Sequence, residues 1–309
     1  MSTRNLYVLV LVMAVTVAGA VFALTSGESR PNAPASTNKL RIVAAENFWG
    51  SIASQIGGDR VSVTSVVSDP NADPHEYESN TATARDFAAA DYVIINGAGY
   101  DSWAEKLLKA NPNPNRTVLN IADFLGKKNG DNPHFWYSPE YVNRVSAEIE
   151  NDLINMDPAE KQYYGKQYQS LESAMSEYQA RIASIKQRFS GTEVAATEDV
   201  FAYLADASGL DLISPPAFMQ AVAEGNDPPA QSIVQFQNQL KNKKPAVLVY
   251  NEQTITPLTD AIRQLAAQEG IPIVGITEIV QPQNMSFEGW MNMEITELEN
   301  ALLASKTGK

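Results

Sequence analysis

Two histidines, His75 and His134, are the only imidazoles in the 309-residue chain, and cysteine is absent. Both rings follow proline, and each proline follows Asp or Asn, in Asp73-Pro74-His75-Glu76-Tyr77 and Asn132-Pro133-His134-Phe135-Trp136. With proline at about 5 % of residues, two such pairings by chance have odds on the order of one in four hundred. Proline fixes its own φ and biases the residue before it towards extended backbone. Each motif therefore reads as a stiff loop projecting an imidazole. A loop histidine by itself is ordinarily a solvated side chain, whereas a matched pair points to a shared role as ligands. Two imidazoles make an incomplete metal site. Without thiolates, the remaining ligands must be carboxylates or water.

Candidate carboxylates come from the rule that functional groups of α/β sheets gather beyond the carboxyl ends of strands. Glu198 follows the strand-like run 194–197, and Glu278 follows the run 273–276 with Thr277 between. Each could equally be a solvated loop acid or an acid at a helix N-terminus. Asp199 is a candidate cap for a helix near Phe201 and a weaker ligand candidate; Asp73, Glu76 and Glu252 are further competitors.

The elements that must position these groups are legible in the hydrophobic pattern. Residues 40–44, 61–67, 92–96 and 118–120 read as strands, with helical segments at 48–56 and 81–90 between them. Strands alternating with helices imply parallel βαβ units. Ser138-Pro139-Glu140 is a helix start, with a capping Ser and Pro at the first position; that helix should run to about residue 155. Asp157-Pro158-Ala159-Glu160 restarts with an Asp cap, and the next helix meets no breaker except Gly165 before Ser190-Gly191. Its apolar positions, Tyr164, Tyr168, Leu171, Met175, Tyr178, Ile182, Ile185 and Phe189, step by four and three, which defines a narrow seam. About 30 residues at 1.5 Å each give roughly 45 Å, enough for a strut between two lobes; a coiled-coil dimer helix is the competing assignment. Strand and helix patterns then resume, with strands at 194–197, 246–250 and 273–276 and helices at 201–207, 232–241, 257–269 and 290–305. The expected fold class is α/β: two similar parallel-sheet lobes joined by one long rigid helix, with a ligand in the crevice between them.

Net charge is −13, from 36 acidic and 23 basic residues. That argues against nucleic acid, which requires a basic footprint, and suits a cation. Residues 6–24 form an uncharged, mostly apolar run after a single cation, Arg4. It is long enough to span a bilayer and also carries small-residue cleavage patterns, so it reads as a signal peptide or a retained anchor. Either way the rest of the chain is exported. Without cysteine, no lipid can be attached through an N-terminal thiol. The expected organisation is a signal or anchor at 1–24, a flexible tether at 25–38, an N-terminal α/β lobe at 39–137, a helical region at 138–190 and a C-terminal α/β lobe at 191–309.

From about Lys39 onward the chain resembles the substrate-binding proteins of zinc and manganese ABC importers, the ZnuA/PsaA/TroA-like group. The resemblance is carried by the two Pro-His loops, by Ala90-Asp91-Tyr92-Val93-Ile94-Ile95-Asn96-Gly97, by Thr197-Glu198-Asp199-Val200-Phe201-Ala202-Tyr203-Leu204 and by Gly275-Ile276-Thr277-Glu278. It implies that His75, His134, Glu198 and Glu278 bind one divalent transition metal ion, Mn²⁺ or Zn²⁺. It further implies an exported monomer, not an enzyme, that delivers the ion to a membrane permease driven by a cytoplasmic ATPase. Two departures stand out. Position 278 is Glu where the family usually has Asp, and the loop between Ile121 and Asn132 is short and lacks the histidines of many zinc members. A Glu third ligand, as Glu198 would be, tilts the expected cargo towards manganese, although zinc binds more tightly at nearly any such site. Two other functional classes compete. A secreted metal-dependent hydrolase is disfavoured by the absence of HExxH and Gly-x-Ser-x-Gly motifs; a surface adhesin without a transport role is compatible with the tether and the acidic surface. The segment 217–227, flanked by Pro215-Pro216 and Pro228-Pro229, is expected to border the crevice mouth.

Overall fold

The computed structural model describes residues 39–70 and 77–307. The N-terminal run 6–24, the tether 25–38 and the first Pro-His loop, including His75, lie outside the described residues. The first lobe comprises β1 (Leu40–Glu46), α1 (Asn47–Gly57), β2 (Val61–Val67), α2 (Thr81–Ala89), β3 (Tyr92–Ile95), α3 (Ser102–Ala110), β4 (Thr117–Asn120) and α4 (Ile121–Leu125). Two long helices follow, α5 (Pro139–Met156) and α6 (Lys161–Phe189). The second lobe comprises β5 (Glu193–Ala196), α7 (Ala202–Ala207), β6 (Asp211–Leu212), α8 (Pro216–Ala223), α9 (Ala230–Lys241), β7 (Leu248–Asn251), α10 (Pro257–Gln268), β8 (Ile273–Ile276) and α11 (Phe287–Thr307).

Each lobe is built on a four-stranded sheet, ordered β2-β1-β3-β4 in the first and β6-β5-β7-β8 in the second. All pairings between these strands are parallel, so the two lobes share one strand order, as two similar βα lobes should. The inner strands of a covered parallel sheet are continuous apolar runs: β3 is buried at all four positions, as is β7, whereas the edge strands β2 and β8 are only partly buried.

The seam of α6 is buried within the chain. Tyr164, Leu171, Met175, Tyr178, Ile182, Ile185 and Phe189 pack against α1, α5 and α11; Tyr168 is only partly covered. Near its start, the Tyr163 hydroxyl accepts the backbone N–H of Asp59 in the first lobe. At its end, Arg188 pairs with Glu299 on α11. The helix thus braces both lobes. Ser138 caps α5 as expected, accepting the Tyr141 N–H at 3.3 Å. The Asp157 cap is not made; a short 3₁₀ turn, Pro158–Glu160, leads into α6 and the Asp157 carboxylate instead accepts from Tyr164 at 3.5 Å. Among the described residues no helix is long and apolar enough to cross a membrane.

One apolar core runs from the β1–β3 region through α1, α5 and α6 to α11, and a smaller cluster around Phe218, Phe236 and Leu240 covers the far side of the second sheet. Helix α11 carries one acid inward. Glu294 is buried; its carboxyl oxygen Oε1 accepts from the Thr277 backbone N–H at 2.9 Å, the Thr277 hydroxyl at 3.0 Å and the Trp290 indole at 2.9 Å. The Tyr137 hydroxyl lies 2.7 Å from the Thr277 carbonyl and 2.5 Å from Glu294 Oε2. One hydroxyl proton cannot serve two acceptors. Both contacts are satisfied if Glu294 is protonated and donates to Tyr137, which donates to Thr277. Burial pushes the Glu294 carboxyl up to about 7, against the lowering effect of these donors.

The unfolded chain releases this proton near 4.5 and the folded one at about 7, so the folded state holds more protons in that window. Stability from neutral Glu294 is complete below about pH 4.5 and is lost as the pH rises to about 7. Unfolding free energies from urea titrations between pH 4.5 and 8 should therefore fall more steeply in the wild type than in Glu294→Gln, by roughly 3 kcal/mol at most over the range. Parallel profiles would show that Glu294 does not carry this dependence.

Candidate metal centre

His134 stands on the short connection between α4 and α5, directly before a 3₁₀ turn, Phe135–Tyr137. Several polar groups fix this connection. Asn96, at the carboxyl end of β3, donates to the Pro133 carbonyl at 2.9 Å and accepts from the Trp49 indole at 3.0 Å. The Tyr203 hydroxyl donates to the Asn132 carbonyl at 2.9 Å. Trp136 stacks on Phe48 at 4.1 Å between centroids and meets Tyr100 edge-on, so it belongs to the first lobe's core. The imidazole is itself fully buried. Its Nδ1 lies 2.8 Å from Asn132 Oδ1 and 3.3 Å from Asp199 Oδ1. These oxygens favour a proton on Nδ1, so Nε2 is the nitrogen open to a ligand once its own proton is displaced. Burial opposes a charge on this ring, but hydrogen bonds to Asp199 and Glu278 outweigh it and carry the imidazole up to about 10.

Glu198 and Glu278 both lie past strand ends in the second lobe, beyond β5 and β8, and are 1 % and 0 % exposed. The sheet order places β7 between those two strands, and β7 ends in Asn251. Its amide nitrogen donates to Glu198 Oε2 at 3.1 Å and to Glu278 Oε1 at 2.7 Å. Asn251 Oδ1 accepts from the Gln253 backbone N–H at 3.0 Å, which fixes the amide's orientation. The other oxygen of Glu278, Oε2, accepts the Tyr100 hydroxyl at 2.9 Å and lies 3.4 Å from His134 Nε2. Tyr100 is delivered by an unusual turn in which Gly97, Ala98 and Gly99 all have positive φ, from 54° to 89°. For Ala98 that conformation costs roughly 1–2 kcal/mol. The Asp101 carboxylate ties the turn back onto the Asn96 and Gly97 backbone N–H groups at 2.6 and 2.8 Å.

The structure thus brings His134 directly to Glu278, and Glu198 to Glu278 through one amide. His75 lies outside the described residues, together with its neighbours Asp73 and Glu76. Among the described residues no three His, Cys, Asp or Glu side chains form a group that could hold a metal ion. The competitors are separated by burial. Glu252 is exposed and turned onto the β8 backbone at Gly275. Asp199 caps no helix, contrary to expectation, because its carboxylate faces the His134 ring instead. A cleft of about 670 Å³ opens onto the centre, lined among others by Tyr100, Asn132, His134, Asp199, Met219 and Thr254. Helix α8 forms one of its walls, so the segment between the two proline pairs does border the crevice mouth. Tyr100, Asn251 and Gln253 carry no sequence signal of their own as ligands; the strand-end rule that points to Glu198 and Glu278 also covers Asn251, whose neutral amide offers no charge to mark it.

A family model described as the zinc-uptake complex component A, periplasmic, matches residues 42–301, and the chain belongs to that family. It is a substrate-binding protein of the metal ABC importer class, not an enzyme. Among its relatives, the manganese ABC transporter substrate-binding lipoprotein PsaA of Streptococcus pneumoniae is 25 % identical over 272 residues, covering 82 % of this chain and 84 % of that one. The iron ABC transporter substrate-binding lipoprotein MtsA of Streptococcus pyogenes serotype M1 is 25 % identical over 271 residues, with the same coverage. The fold matches the periplasmic zinc-binding protein TroA of Treponema pallidum with a TM-score of 0.72 at 14 % identity, over 87 % of this chain and 99 % of that one.

Asn251 is a neutral donor that bridges two buried carboxylates. Replacing it with Asp sets a third carboxylate against them and removes both donated hydrogens. In chelator at pH 7, Asn251→Asp should lose roughly 3–5 kcal/mol of stability in urea unfolding. A midpoint equal to the wild type's would mean that the amide does not hold the pair.

Proposed function

We propose that this chain captures Mn²⁺ or Zn²⁺ outside the cytoplasm and delivers it to a membrane permease powered by a cytoplasmic ATPase. The ion is the cargo, and its proposed ligands are His75 and His134 from the first lobe and Glu198 and Glu278 from the second. The observation that carries this reading is the meeting of His134 Nε2 and Glu278 Oε2 at 3.4 Å, both wholly buried, at the boundary of the lobes. Buried charge is costly unless it is paired or bound to metal. Two buried carboxylates and a buried imidazole suit a dication: the carboxylate oxygens supply charge, and the imidazole, once its Nε2 proton is displaced, supplies a nitrogen donor.

On this proposal residues 39–137 and 191–309 are the two binding lobes and 138–190 connects them. The shared core and the bracing by α6 favour small adjustments over wide opening. The protein acts as a monomer, since the seam of α6 is occupied within the chain. Relatives carry manganese and iron in their names, and the family description names zinc. The carboxylate-rich donor set inclines this chain towards manganese, with zinc bound competitively in vitro. The relatives are named lipoproteins. The present 309 residues contain no cysteine to acylate, and the apolar run 6–24 is the segment proposed to export or tether the protein.

Calorimetric titration of the full chain in detergent with Mn²⁺, and with Zn²⁺ in competition, tests the assignment. His134→Ala, Glu278→Ala and His75→Ala should each weaken binding by more than the roughly 10–100-fold typical of losing an outer-shell partner. Wild-type affinity in both His134→Ala and Glu278→Ala would overturn it.

A further inference from the structure

The loop after β7 contributes a second carboxamide with a different task. Gln253 Oε1 accepts the backbone N–H groups of Glu278 at 2.5 Å and Ile279 at 3.1 Å. Its Nε2 donates to the Pro70 carbonyl at 3.1 Å. Pro70 lies three residues beyond the end of β2 and five before His75 in the sequence. One side chain therefore joins the backbone of a second-lobe ligand to the first-lobe chain that leads to another. The amide's orientation follows from its neighbours: flipped, it would set its NH₂ against two N–H groups and its oxygen against a carbonyl.

We propose that Gln253 is the positioning residue that couples the two lobes across the metal centre. Displacing the chain at Pro70 pulls on Gln253, and through it on the backbone from which Glu278 reaches the ion. The same crossing is reinforced further along. Gln281 Nε2 also donates to the Pro70 carbonyl, at 3.2 Å, and Gln283 Nε2 to the Ser68 carbonyl at 2.7 Å. Asn47 exchanges two hydrogen bonds with the Val280 backbone, at 3.2 and 3.0 Å. Of the three glutamines, only Gln253 holds the first lobe with one end and Glu278 with the other. A neutral group suits this place, because a carboxylate or ammonium there would alter the field at the ion and compete with it.

The inference rests on Glu278 being a ligand, and the test separates the two. The full chain in detergent is loaded with Co²⁺, whose visible absorption reports ligand geometry, and release is followed after addition of excess EDTA. Gln253→Met, of similar length and without hydrogen bonds, should release Co²⁺ roughly tenfold faster and shift the absorption band. Gln253→Glu retains an acceptor for the two N–H groups but no donor for Pro70; it should also release the ion faster, and it carries the test if the Met variant does not fold. The double variant Gln281→Met/Gln283→Met loses two crossings without touching Glu278 and should leave the band in place. Wild-type release and band in both Gln253 variants, or the same band shift in the double variant, would overturn the coupling. Unaltered Co²⁺ binding by Glu278→Ala would instead remove the ligand assignment, and this inference with it.

Discussion

The second lobe removes two carboxylates, Glu198 and Glu278, from water within hydrogen-bonding distance of a single amide. Taking such charges out of water costs several kcal/mol each even after the surroundings relax, and their mutual repulsion adds to the cost. The neighbouring structure offsets part of it. Asn251 donates to both, Tyr100 donates to Glu278, and the Glu278 backbone is fixed by Gln253. The His134 ring stands on the other side with a raised proton affinity. None of these groups supplies the full two positive charges that a dication would. A dication, the cargo proposed above, would offset the remainder.

Topology places the pieces. In a parallel sheet of order β6-β5-β7-β8, the carboxyl ends of β5, β7 and β8 are consecutive neighbours, so residues just past those ends meet without long loops. The first lobe has the same order, and the turn after its β3 delivers Tyr100. The long helices α5 and α6 and the terminal helix α11 then join the two sheets into one apolar core. Separating the lobes would expose that core at about 25 cal/mol for each Å² of apolar surface. That cost opposes a wide separation of the two sheets.

Much of this was legible in the sequence because the strong signals are periodic. The β-branched run 61–67 and the apolar run around 92–95 could only be strands, and the four-and-three spacing from Tyr164 to Phe189 marked the buried seam of α6. What escaped was short. α3 and α8 are nine and eight residues long; α3 leads into the turn-rich 111–115, and α8 sits between proline pairs that read as loop. β6 has two residues, Asp211 and Leu212, and is a strand only because β5 lies beside it. At the site, Glu198 and Glu278 followed from strand ends, because acids there carry an evident chemistry. Asn251 and Tyr100 did not, since a polar neutral residue acquires its meaning only from the groups it meets.

The same neutrality explains a difference between the two Pro-His loops. Asp73 precedes Pro74, whereas Asn132 precedes Pro133. Asn132 Oδ1 accepts from both the backbone and the ring of His134, and its Nδ2 donates to the Asp199 carbonyl in the other lobe at 2.7 Å. Aspartate could make the first two contacts but not the third. Carboxamides recur at this boundary: Asn47, Asn132, Gln253, Gln281 and Gln283 each bridge from one lobe to the other's backbone. A carboxamide offers a donor and an acceptor without net charge. Its bonds do not weaken with ionic strength as exposed ion pairs do, and it does not compete with carboxylates for a cation. Neutral groups at the boundary thus leave His134, Glu198 and Glu278 as the charge-bearing side chains of the proposed centre.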